Sequence, residues 1–303
     1  MDKGQKGELA RIAGSGVRFD CPMSGYTTFR VGGEAEALYD AGDMEVLGRV
    51  LAYLDEEGIF YLPVGRGSNL LVMDEGLKGV VIRLCGALAS IEREEEDDLV
   101  VRAGAGMALA DLLVYCRSSG LEGLEFLAGI PGTVGGAIAM NAGAFGSEVG
   151  ERIREIQVIT RGGEIVTRDQ PGLRFAYRGL ELENGTVIVR ARFGLERGRE
   201  STARARMADY LRRRKESQPL EYPSAGSVFK NPPGDFAARL IEQAGLKGAR
   251  AGGAMISMKH ANYIVNTGGA TAGDILELLN LARTRVKEET GIELEPEVKV
   301  IGW

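Results

Sequence analysis

The chain has 303 residues, enough to bury a large core in about two domains, and its formal charge of −6 argues against broad nucleic-acid binding. Its three cysteines, Cys21, Cys85 and Cys116, are odd in number, far apart and without a CxxC pair, so they read as reduced thiols and exclude a disulfide framework or zinc site; the single histidine, His260, excludes a His-rich metal centre and disfavours a Ser-His-Asp hydrolase. Glycine, at 44 residues, is about twice its usual share without a fixed period, which assigns it to turns and close ligand approaches.

The first sixteen residues contain no apolar core segment, and no run of 18 apolar residues follows, so the expectation is a soluble cytoplasmic protein with no membrane partner. Residues 43–57 place Val46, Leu47, Val50, Leu51 and Leu54 on one helical face, with Asp43 as N-cap and Gly58 as the stop. Strands are predicted at Ile59–Val64, Val80–Leu84 and Leu99–Ala103, and the acidic run Glu92–Asp98 reads as a solvated hairpin turn. A helix over 108–119 closes at Gly120. Strands follow at Ile153–Thr160, Glu164–Arg168 and Thr186–Leu195, with a turn at Gly162-Gly163. Composition shifts near 197, where a domain boundary is placed. Beyond it come a helix at Thr202–Glu216, a Pro/Ser/Gly loop at 219–234, a helix at 236–244 capped by Asp235, short strands within 254–265, a helix at 272–290 and a strand Glu297–Ile301. This mixture lacks a strict βαβ rhythm and reads as α+β.

Residues 126–146, FLAGIPGTVGGAIAMNAGAFG, are Gly-rich and carry no charged side chain. Such backbone reaches positive φ, approaches a large ligand closely and offers main-chain N–H donors to a diphosphate; a tightly packed helix–helix contact is the alternative. A second loop, Gly65-Arg66-Gly67-Ser68-Asn69-Leu70, follows a predicted strand but has Leu70 where a dinucleotide fingerprint needs Gly, and no GxxxxGK[ST] occurs. It is either a simple turn or a second diphosphate-wrapping loop, and two such loops in one domain suggest one elongated ligand. In the stretch Pro223–Pro232, PSAGSVFKNP, Ser227 follows a Gly beside Lys230 and Asn231; with His260 the only candidate base, it suits a proton donor or substrate ligand better than an acyl nucleophile, or else it is a turn residue. The Arg-rich helix is either a solvated face or, through Arg214 and Gln218, a contact to an anionic substrate.

Together these motifs resemble the UDP-N-acetylenolpyruvoylglucosamine reductases (UDP-N-acetylmuramate dehydrogenases) of peptidoglycan synthesis. The resemblance runs from TTFRVGG at Thr27–Gly33 through PVGRGSNLLV, AGIPGTVGGAIAMNAGAFG, FAYRG and PSAGSVFKNP to LEPEVKVIG at Leu294–Gly302. It implies an α+β protein with a two-lobed FAD-binding region of the vanillyl-alcohol-oxidase (PCMH) type, lobes at 1–86 and 87–197. A smaller α+β substrate domain would follow at 198–303, its last strand, about 295–303, returning to the active site. It further implies FAD with NADPH as reductant, a small-molecule UDP-sugar substrate, no metal, and a monomer. By motif, the catalytic residues would be Arg178, Ser227 and Glu297. The flavin would lie along Thr28, Phe29, Arg30, Val31, Gly32 and Gly33, along Gly65, Arg66, Gly67, Ser68, Asn69 and Leu70, and along Gly129, Ile130, Pro131, Gly132, Thr133, Gly135, Gly136, Ala137, Asn141, Ala142 and Gly143, with Ile188. Substrate would be met by Tyr177, Arg214, Gln218, Lys230 and Asn231. Two features depart from the general pattern: Gly179-Leu180 follows Arg178 where relatives often have a polar pair, and the Tyr-bearing insertion of the longer subclass is missing, which places the chain with the shorter subclass. Two other readings remain: a flavin oxidase of the same fold acting on another alcohol or sugar, and a non-catalytic flavin or nucleotide-sugar binding protein.

Overall fold

The computed structural model describes residues 1–302; Trp303, the end of the returning strand read at 295–303, lies outside the described residues. Two compact units result, one built from residues 1–20, 36–66 and 79–212, the other from 21–35, 67–78 and 213 onward. Linear boundaries at 86 and 197 do not coincide with these packing units. The reason is apolar burial: Phe29, Val31 and Leu71 belong to the same core as Val228, Phe229 and Leu279.

The first unit holds two sheets. One has the strand order Val17–Pro22, Glu34–Ala41, Leu77–Leu84, Tyr61–Pro63, its last pair parallel. Against it packs helix α2 (Met44–Glu56), where Asp43 Oδ1 accepts the Val46 N–H at 2.9 Å as the sequence suggests, and Leu47, Val50, Leu51 and Leu54 are buried. Each such side chain contributes about 1.5–3 kcal/mol of transfer free energy. Helix α1 (Lys3–Ala13) precedes it, fastened by a capping box between Asp2 and Gln5. The other sheet is antiparallel with order Ile165–Asp169, Ile153–Ile159, Val187–Gly194, Val100–Gly104, Ile91–Arg93, and it shares a core with helix α3 (Leu109–Ser118) and the six-residue helix α4 (Val134–Ala139). The acidic run does make a hairpin, but one member is partly buried and paired. Glu94 accepts hydrogen bonds from Arg192 at 2.7 and 2.8 Å and from Arg102 at 2.9 Å, and Arg192 also reaches Glu155.

Helix α5 (Glu200–Ser217) contains the division between units, after Arg212. The second unit pairs a three-stranded antiparallel sheet (Arg250–Ala251, Ala254–Ile256, Ile264–Asn266) with helices α6 (Ala237–Gln243) and α7 (Ala272–Thr290). Asp235 does not cap α6 as read from sequence. Its carboxylate takes Phe236 N–H and Arg239, and the Ala237 N–H is met instead by Asn231 Oδ1 at 3.0 Å. Helix α7 has a Thr271/Asp274 capping box, and Asp74 adds two acceptors for Ala272 and Gly273 N–H, each at 2.9 Å. The last strand begins at Lys299 and runs parallel to Leu70–Val72. No described helix is long and apolar enough to cross a membrane.

Candidate active site

In the first unit the Gly-rich segment is a sharp run of turns around α4. Thr133 caps the helix by accepting the Gly136 N–H, Val134 and Gly135 donate to Met107 and Ala105 carbonyls, and Gly129 sits at φ +79°. Asn141, 1% exposed and at φ +41°, has its side chain fully engaged: Nδ2 donates to Glu148 Oε2 (2.7 Å) and Ala176 O (3.0 Å), while Oδ1 accepts the Gly150 N–H (3.1 Å). The Asn141 side chain is therefore a fastener of the Tyr177-Arg178 turn, leaving only its main chain to face a ligand. Arg178 itself is at φ +62°, a left-handed conformation that costs a non-Gly residue about 1–2 kcal/mol. Its Nη1 donates to Gly143 O at 3.1 Å and its guanidinium lies 5.1 Å from the exposed Tyr177 ring. A Cβ on Gly143 would crowd both Glu148 and Arg178. Ile188 is buried in the central strand of the antiparallel sheet.

The two remaining flavin candidates are a pair of short loops. Among the described residues, the N–H groups of Gly65, Arg66, Gly67 and Ser68 meet no acceptor, and neither do those of Gly129 and Gly132. A Cβ on Gly65 would fall 2.4 Å from Thr133 Oγ1, and one on Gly67, at φ +62°, 2.1 Å from Tyr26 O. The loop at 65–68 thus presents bare N–H donors beside Arg66 on backbone that leaves no room for a Cβ at Gly65 or Gly67, a donor set that fits the diphosphate of FAD. Within 28–33 the side chains of Phe29 and Val31 are buried in the second core, so these two offer only main chain, whereas Thr28 is half-buried and Arg30 is exposed at φ +58°; Phe29 O already accepts Asn266 Nδ2 at 3.0 Å. Thr28 N–H donates to Gly67 O, joining this stretch to the loop at 67–70.

The second unit assembles Ser227, Glu297 and Arg214. Val228, next to Ser227, donates its N–H to Asn262 O at 2.9 Å, and its carbonyl accepts the Glu297 N–H at 2.9 Å. The buried Asn262 amide grips Phe229 at both ends, accepting its N–H at 3.0 Å and donating to its carbonyl at 2.8 Å. Glu297 O also accepts Asn69 Nδ2 at 3.0 Å. Tyr263, which sequence reading passed over, is buried here. Burial pushes its phenol up to about 12; nearby Arg214 and Ser227 oppose the shift and Glu297 adds to it. The half-buried Gln218 donates its N–H to Arg214 O at the end of α5. Two expected substrate ligands are engaged elsewhere: Lys230 pairs with Glu295, and Asn231 caps α6.

Two family models match this chain: the C-terminal domain of UDP-N-acetylenolpyruvoylglucosamine reductase over residues 218–301, and an FAD-binding domain over 35–169. A UDP-N-acetylenolpyruvoylglucosamine reductase of Geobacter metallireducens is 46% identical over 297 residues, 97% of this chain and 96% of the relative. The chain belongs to the UDP-N-acetylenolpyruvoylglucosamine reductase family. The crystal structure of that reductase from Thermus caldophilus superposes with a TM-score of 0.82 at 40% identity, covering 94% of this chain and all of the other. A berberine bridge enzyme structure, 16% identical, reaches a TM-score of 0.50 over 66% of this chain and 44% of its own, a likeness of fold alone. The architecture is accordingly α+β with the PCMH-type flavin fold, and the protein is an FAD-dependent oxidoreductase of the reductase family, whose cofactors are FAD and NADPH.

Proposed function

We propose that the protein reduces the enolpyruvyl group of UDP-N-acetylglucosamine enolpyruvate to give UDP-N-acetylmuramate, with Arg178, Ser227 and Glu297 as its catalytic side chains. The observation that carries the reading is the 46% identity with the Geobacter reductase over 97% of this chain, together with the backbone tie that brings Glu297 beside the Ser227 turn. When bound, FAD supplies the hydride chemistry, accepting from NADPH and delivering to the methylene carbon of the substrate. The main-chain donors of Gly65–Ser68, Gly129 and Gly132 would hold its diphosphate, and Thr28–Gly33 would line it with backbone. Arg178 would place fixed positive charge at the substrate carboxylate, where negative charge grows, and a protonated Glu297 would donate a hydrogen bond to the same group. Ser227 would then give its proton to the adjacent carbon, a task for which a hydroxyl suffices against so basic a centre. Tyr177, Arg214 and Gln218 would hold the UDP-sugar; Lys230 and Asn231 would join them only by exchanging the partners they have. In this reading the lobes at 1–86 and 87–197 hold the flavin and 198–303 the substrate, in a monomeric cytoplasmic enzyme that serves cell-wall growth, cell shape and division.

The test is direct. The purified protein should be yellow, and NADPH consumption should depend on added enolpyruvyl UDP-sugar. Consumption that instead tracks an alcohol and oxygen, or bound flavin with no turnover of the UDP-sugar, would replace this function with an oxidase or a binding protein.

A further inference from the structure

Residues 257–263 close the hairpin between Ala254–Ile256 and Ile264–Asn266, and this loop is fastened from within. The buried Ser257 hydroxyl oxygen accepts the N–H groups of Lys259 at 3.1 Å and His260 at 3.4 Å. Ser257 N–H donates to Tyr263 O at 2.8 Å, and Tyr263 N–H to His260 O at 3.0 Å. The His260 and Tyr263 rings meet edge-on, with centroids 4.9 Å apart. A loop tied so closely acts as one rigid piece, and it makes two outward contacts. Through Asn262 it clamps Val228 and Phe229, the two residues after Ser227. Through Lys259 it grips the end of α5, where the exposed ammonium donates to Lys215 O at 2.5 Å.

The last carbonyls of a helix lack partners within it, and a cation there answers both the orphan oxygen and the negative end of the helix. Lys259 forms no ion pair among the described residues, so its charge is directed to that helix end. The turn it secures is the one that carries Arg214. Ser217 Oγ donates to Arg213 O and Gln218 N–H to Arg214 O, each at 2.8 Å, so the carbonyls at 213, 214 and 215 are all taken. We propose that Lys259 is a positioning residue for Arg214: by tying the last turn of α5 to the loop that clamps the Ser227 turn, it sets where the guanidinium meets an anionic group of the UDP-sugar. This role rests on Arg214 being a substrate contact. A guanidinium binds an anion through a planar fork of donors, and a small rotation of the backbone that carries it spoils the match. Lys259 itself reaches backbone rather than the reacting atoms, so it acts on substrate affinity and leaves proton delivery by Ser227 alone.

The test is Lys259→Met in the holoenzyme, which removes the ammonium and keeps an unbranched side chain. With the flavin reduced beforehand by dithionite, stopped-flow titration with the enolpyruvyl UDP-sugar separates an apparent Kd from a limiting rate of reoxidation. The apparent Kd should rise by roughly 3- to 10-fold, the worth of one charge-assisted hydrogen bond at an exposed helix end, and the limiting rate should not change. Lys259→Arg, which keeps a cation able to donate to the same carbonyl, should restore the affinity. In an Arg214→Ala background Lys259→Met should add nothing. A second readout needs no turnover: titration of the oxidised flavin spectrum with UDP-N-acetylmuramate should show the same ratio of Kd values. If Arg214→Ala weakens binding while Lys259→Met does not, if the two effects multiply, or if Lys259→Arg fails to restore affinity, Lys259 does not act through Arg214. If Arg214→Ala itself leaves Kd unchanged, the substrate-contact reading of Arg214 fails and the role of Lys259 falls with it.

Discussion

Arg178 and Ser227 are held in place by different means. In the first unit, Asn141, Phe145 and Arg178 all adopt left-handed backbone within 38 residues of one another, and a single buried amide, Asn141, joins 148, 150 and 176. In the second unit Ser227 has no such strain; only the Gly before it is at positive φ, +75°. Its turn is instead tied to residues far along the chain, Asn262 and Glu297, and Glu297 in turn to Asn69, 228 residues away. Local strain needs one strong local fastener, whereas long-range assembly spreads the task over several bonds. The first arrangement should fail sharply when its fastener is removed, and the second gradually.

The largest effects should come from the functional groups. Arg178→Ala and Ser227→Ala should each lower the rate of reoxidation by the UDP-sugar on the order of 10²–10³-fold, measured by stopped-flow absorbance of the flavin. Next is the fastener. Asn141→Ala strands an N–H, a carbonyl and a carboxylate, and should cost about 3 kcal/mol in denaturant unfolding. Asn262→Ala strands only the two ends of Phe229 and should cost about 2 kcal/mol. An Asn262 loss that exceeded the Asn141 loss would reverse the contrast. Smaller still, Asp74→Ala removes acceptors for the first turn of α7 and should cost about 1 kcal/mol. The smallest effect is a pH dependence far from the site. The Arg192 guanidinium holds Glu94 below its ordinary value of 4.5, so this pair stabilises the fold above 4.5 and the contribution is lost as pH falls through the lower, folded value. Arg192→Gln should abolish that part of the acid limb in a plot of unfolding free energy against pH.

Much of the fold was legible because its signals are local. The Asp43 cap and the spacing of Leu47, Val50, Leu51 and Leu54 fix α2 within a few residues. Helix α1 escaped sequence reading because KGQKGELARIA contains two glycines and buries only Leu9, leaving no apolar period. The strand Glu34–Ala41 escaped because its buried positions are mostly alanine, whose alternation with polar residues is weak. Asp235 stood at the right spacing for a cap, but a loop brought Asn231 to the same N–H, and only folding decides between them. The site divides in the same way. Arg178, Ser227 and Glu297 stand out as candidates because their motifs are short and contiguous. Asn141 stands out because it sits in a Gly-rich run, where its partners at 148, 150 and 176 cannot be read, and Asn262 gave no signal because its partner Phe229 lies 33 residues away.

The parallel pairing of Leu70–Val72 with Lys299–Ile301 sets a limit on synthesis. While a ribosome is still making the chain, the apolar edge at 70–72 has been exposed for more than two hundred residues before its partner emerges, and the core around Phe29 and Leu71 waits as long for Ile275, Leu294 and Val298. A nascent chain of this order leaves an open strand edge available to wrong neighbours until residues 299–301 arrive, so the second unit can complete its core only once they have emerged.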